Sequence, residues 1–148
     1  MKRLKIIGLV LLVVLVGLQF FPIGTNHSTT IPSTDFVKTY KAPEDIAQTL
    51  QSSCYNCHSN NTEYPWYSKV QPVGWLLEDH INKGKEVLNL SEFGSYSSRR
   101  QQSKLMSMIS QIEDDKMPLA SYTFIHRDAR LSKEKKKTLL DYLRTLKD

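Results

Sequence analysis

The chain has 148 residues, the length of one domain, and its 20 basic and 15 acidic side chains give a net charge of +5. Lys2, Arg3 and Lys5 supply three of those cations; without them the balance is 17 basic against 15 acidic, or +2. So nearly neutral a remainder gives no basis for nucleic-acid binding, and the run Lys133 with Lys135 to Lys137 reads as a solvated helix face.

The first element follows directly on those cations. Ile6 to Phe21 is almost wholly apolar, interrupted only by Gly8, Gly17 and Gln19. A helix from Ile6 to Ile23 would be roughly 27 Å long, close to the thickness of a bilayer's hydrocarbon core. A cleaved signal peptide would have a shorter apolar core followed by small residues, whereas this run ends in Gln19-Phe20-Phe21-Pro22. Residues 1–23 are therefore expected to form an N-terminal transmembrane helix, a membrane anchor, with a cleaved signal segment as the alternative. The N-terminal cations would stay cytoplasmic. That orientation predicts a single-pass protein of the cell membrane, with its remaining mass on the periplasmic side.

Residues 24–42, rich in Thr, Ser and Pro, are expected as a flexible tether, and 43–148 as the folded domain. Pro43 with Glu44 and Asp45 suits a helix start, and Ile46 and Leu50 carry that helix to Cys54. Asn60 to Gln71 is turn and aromatic material. Val73, Leu77, His80 and Ile81 have helical spacing, with Gly84 expected to end the helix. Ser97 to Asp115 predicts another helix, striped by Leu105, Met108, Ile109 and Ile112, and broken by Met117-Pro118. A loop follows through Tyr122 to Arg130. Ser132 is the expected N-cap of a last helix carrying Leu139, Leu143 and Leu146. There are no repeats and no convincing strand alternation, so the domain is predicted to be all-α. Its thin core would gain from a cofactor.

Cys54 and Cys57 are the only cysteines. A disulfide across two intervening residues closes so small a loop that it adds little stability, which points to a chemical role instead. Cys54-Tyr55-Asn56-Cys57-His58 is the C-x-x-C-H pattern of covalent c-type haem attachment. Two residues between the cysteines let one helical turn reach both vinyl groups, and the next residue turns its imidazole toward the iron. Two rivals use the same residues. A redox dithiol would want a βαβ context that is missing, and a zinc site would join Cys54 and Cys57 to two of His58, His80 and His126.

For the sixth iron position Met117 leads, since proline stiffens the loop that would present its thioether; the bland reading is a core contact. His80, on the apolar stripe of its helix, and His126, in a loop beside Arg127 and Arg130, are the alternatives. That trio could equally face the haem propionates. His27 lies in the tether and has no expected role. Tyr64, Trp66 and Tyr67 are expected to pack near the haem edge, which makes Trp66 and Tyr67 candidate cofactor-binding residues. The carbonyl of Pro72 is a candidate acceptor for the N–H of His58.

From Cys54 onward the chain resembles the haem-binding domain family of cytochrome c-like proteins, common as small membrane-anchored bacterial proteins. The stretches that carry the resemblance are "CYNCHSNNTEYPWYSKVQPVGWLLEDHINKGKEVLNLSEF", "MPLASY" and "HRDARLSKEKKKTLLDYL". The resemblance implies one covalent haem c per chain at Cys54 and Cys57, with His58 as proximal iron ligand. The order C-x-x-C-H, Met-Pro, terminal helix also resembles class I cytochromes c, which implies Met117 as distal ligand.

The expected function is electron transfer by a membrane-anchored mono-haem cytochrome, a carrier rather than an enzyme, exchanging electrons with redox partner proteins. The alternative is a haem peroxidase or ligand sensor with an open distal position, for which His80 or His126 would serve as distal base.

Overall fold

A computed structural model describes residues 1–147, and those residues form helices and connecting turns with no strand among them. The all-α expectation agrees with this. The first helix, α1 (Lys2–Leu18), stands apart from the rest, and none of its residues is buried. The short α2 (Phe36–Thr39) is capped by Asp35, whose side chain accepts from the Val37 N–H. Next, α3 (Glu44–Leu50) runs on through a widened π turn, Gln51–Tyr55, into α4 (Asn56–His58). After a 3₁₀ turn at Trp66–Lys69 come α5 (Val73–Val87), a second 3₁₀ turn at Leu90–Ser95, and α6 (Ser98–Glu113). The chain closes with α7 (Ala120–Ile125) and α8 (Lys133–Thr145).

The core lies where α6 and α8 meet α3. Leu105, Met108 and Ile112 recur at three- and four-residue spacing on α6, and Leu139, Leu140 and Leu143 do so on α8; both sets are buried with Ile46 and Leu50 of α3. Each fully buried leucine contributes roughly 1.5–3 kcal/mol over an exposed one. The Ser132 hydroxyl accepts from the Lys135 N–H at 3.1 Å, the N-cap expected for α8.

The predicted transmembrane helix does not stand, and with it falls the single-pass placement in the cell membrane. No helix among the described residues is long and apolar enough to cross a membrane. The reason lies at Gln19, where α1 stops. Its side-chain amide donates to the Leu15 carbonyl at 2.8 Å and to the Gln71 carbonyl at 3.1 Å, and its oxygen accepts from the Gln71 N–H at 3.0 Å. The Phe21 carbonyl then accepts from the Trp75 indole N–H. Residues 20–23, expected to continue the helix, are drawn toward the start of α5. The apolar stretch left in helix, Ile6 to Leu18, is about 20 Å long at 1.5 Å per residue, against a hydrocarbon core of about 30 Å.

The segment expected as a tether is also built into the fold. Phe36 is fully buried, edge-on to Phe93 with ring centroids 4.9 Å apart. Asn26 donates to the Ser59 carbonyl and the Thr62 hydroxyl, each at 2.8 Å, and its own N–H donates to the Tyr64 hydroxyl. Gly84 does not end its helix: α5 continues to Val87. Of the stripe expected on α5, Ile81 is buried and His80 is exposed.

Candidate haem site

The segment Cys54 to His58 spans the junction of the π turn and α4. π turns of this kind concentrate at functional sites. Its two intervening residues hold the turn from behind. The Tyr55 hydroxyl hydrogen-bonds both carboxylate oxygens of the buried Asp35, each at 3.0 Å. Asn56 donates to the Tyr122 hydroxyl at 2.9 Å, and its side-chain oxygen accepts from the Glu63 N–H at 3.0 Å. With Tyr55 and Asn56 so engaged, Cys54, Cys57 and His58 border an apolar cleft with two lobes.

The larger lobe, about 270 Å³, lies against Val87, Met108, Ile112 and Leu131. The smaller, about 230 Å³, lies against Cys57, His80, Gly84, Leu119 and Tyr122. Cys54, His58 and Met117 border both. Concave, mainly apolar walls with a few convergent polar groups are what a cofactor site requires.

Both cysteines are free thiols. Burial, and secondarily the neighbouring Cys57, pushes the Cys54 thiol up to about 12; burial also raises Cys57. Among the described residues no βαβ unit surrounds the cysteines, the setting a redox dithiol would want. Nor do the histidines assemble around the cysteines: no group of three His, Cys, Asp or Glu side chains suited to a metal ion occurs among the described residues.

His58 Nδ1 lies 2.9 Å from the Gly84 carbonyl oxygen and 3.0 Å from that of Leu88. Pro72, the acceptor expected from the sequence, instead receives the Leu76 N–H in the first turn of α5. Met117 reaches the cleft because the chain reverses at the end of α6. Asp115 adopts a left-handed conformation with φ 54°, and the Gln111 carbonyl accepts from the N–H groups of Lys116 (2.9 Å) and Met117 (3.1 Å).

The remaining candidates lie around this centre. His80 is exposed on α5, at the rim of the smaller lobe. His126 is stacked on Tyr122 with centroids 4.3 Å apart, its Nε2 2.6 Å from the Tyr67 hydroxyl. Neither His126 nor Tyr67 borders the cleft, and Trp66, 79% exposed, packs edge-on against Tyr67. Arg127 and Arg130 are exposed, and Arg130 donates to the Thr123 carbonyl. Sequence reasoning missed the carbonyls of Gly84 and Leu88, the Asp35 partner of Tyr55, and Tyr122. Only the glycine leaves a visible sign in the sequence, where its spacing suggests a helix stop.

An all-helical domain whose two thiols, one imidazole and one thioether converge on an apolar cleft has the makings of a haem protein. A family model described as the haem-binding domain matches residues 13–145, and the chain belongs to that family. Haem is its cofactor. No curated protein and no solved structure matches the chain.

Proposed function

We propose that this haem-binding protein is a mono-haem c-type cytochrome that transfers electrons. One haem would be attached through Cys54 and Cys57, with His58 and Met117 as the axial donors. The observation that carries this reading is that both thiols, the imidazole and the Met117 thioether line one apolar cleft. Bound haem supplies a one-electron couple, which methionine–histidine ligation shifts to higher potential.

The chain's own residues contribute the rest. Cys54 and Cys57 would hold the haem through thioether bonds, for which both must be reduced, as the two free thiols are here. Val87, Met108, Ile112 and Leu131 give the cleft an apolar wall, which would limit water around a bound haem and lower its effective dielectric. No carboxylate is among the described residues lining it, which suits a carrier better than an enzyme. Donor and acceptor proteins are the implied partners.

A second reading, a peroxidase or ligand sensor with an open distal position, draws on His80 at the rim of the smaller lobe. The absorption spectrum of the full chain, produced with c-type cytochrome maturation machinery, separates the two. A low-spin spectrum with a thioether–iron charge-transfer band is expected. A five-coordinate high-spin spectrum would overturn the carrier in favour of the second reading.

A further inference from the structure

We infer that Gly84 is a positioning residue for the iron's proximal ligand: by letting α5 press against Cys57, it brings two carbonyls of that helix end onto His58 and fixes which ring nitrogen is free for the metal. The inference rests on the reading of His58 as that ligand.

Glycine inside a helix costs about 1 kcal/mol relative to alanine, so one three residues before the end of α5 calls for a reason. The reason is contact. A Cβ at position 84 would lie 2.6 Å from the Cys57 carbonyl oxygen and 3.3 Å from its carbonyl carbon. The obstacle is backbone, so no change of rotamer relieves it. Only with that approach do the Gly84 and Leu88 carbonyls come within 2.9 and 3.0 Å of His58 Nδ1. The Gly84 oxygen also accepts from the Leu88 N–H at 2.9 Å, using its second lone pair. The Leu88 carbonyl follows the last helical residue, at the negative end of the helix dipole.

Both neighbours of Nδ1 are acceptors only, so Nδ1 carries the proton and the lone pair resides on Nε2. A neutral histidine in water prefers the opposite tautomer. The helix end therefore selects the form that can bind iron through Nε2, and an N–H held by carbonyls makes the imidazole a more basic ligand.

The test begins without haem. Long-range ¹H–¹⁵N spectra of the ¹⁵N-labelled, full-length apo chain at pH 8 should show His58 as the Nδ1–H tautomer; the Nε2–H tautomer would overturn the inference. In Gly84→Ala with helical content retained, the tautomer should shift toward Nε2–H and affinity for added ferric haem should fall about tenfold or more. An unchanged tautomer with unchanged affinity would overturn it. Should that variant not fold, the wild-type spectrum still decides. If the apo chain shows the Nδ1–H form but added ferric haem leaves the His58 signals unmoved, the ligand reading fails while the hold of α5 on the ring stands.

Discussion

The Tyr67 hydroxyl lies 2.6 Å from Nε2 of His126, and the His126 ring is stacked on Tyr122, whose ring borders the smaller lobe of the cleft. The Tyr67 hydroxyl thus occupies one nitrogen of His126, and of the stacked pair Tyr122 borders the cleft while His126 does not. His126→Ala is expected to leave the visible spectrum of the haem-loaded chain unchanged. Its cost should be about 0.5–1.5 kcal/mol of stability, read from urea unfolding, for the lost hydrogen bond.

Met117 stands in contrast, because it borders both lobes. Met117→Ala should abolish the thioether–iron band and lower the reduction potential. Optical spectra and potentiometric titration check this; an unchanged band and potential would remove Met117 from the iron.

Tyr55 anchors the cysteine-bearing turn to the buried carboxylate of Asp35. Tyr55→Phe leaves that carboxylate with the Val37 N–H as its remaining hydrogen-bond partner. The loss should be about 1–3 kcal/mol in urea unfolding, larger than for His126→Ala because both hydrogen bonds lost are to a buried carboxyl group.

Alkaline pH should destabilise the apo chain. Burial raises the pKa of Cys54, of Cys57 and of Tyr55, the last with a further contribution from Asp35. A raised folded-state pKa stabilises below the unfolded value and is lost as pH climbs through the folded one. Unfolding free energy should therefore be level below about pH 8.5, the ordinary thiol pKa, and decline above it. Thioether attachment, as proposed, would remove both thiols, so the haem-loaded chain should then show a shallower decline between pH 8.5 and 10 (the ordinary tyrosine range begins at about 10). Urea titrations of both forms across that range measure the difference.

What could be read from the residues was what local chemistry decides. Ser132 and the leucine spacing on α8, and the Leu105–Met108–Ile112 stripe on α6, determine their helices within a turn or two of chain. The spacing of Cys54, Cys57 and His58 puts them on one side of a turn wherever that turn sits. What stayed hidden depends on distant partners. Gln19 looks like a lone polar interruption until the backbone of Gln71, 52 residues away, engages it and the helix stops. Phe36 stands with Tyr40 in a mainly polar stretch, and Phe93, far along the chain, reveals why it is buried. Gly84 carries the same letter whether it ends a helix or admits a neighbouring backbone, and the Cys57 carbonyl that settles the matter is 27 residues upstream.

Covalent attachment is the central claim, and intact mass under denaturing conditions tests it most directly. The full chain, produced with active c-type maturation machinery, should carry the mass of one haem that survives unfolding and acid–organic extraction, and Cys54→Ala with Cys57→Ala should abolish it. Haem that is released on extraction, or a chain that stays unmodified while a control cytochrome is matured, would contradict the account.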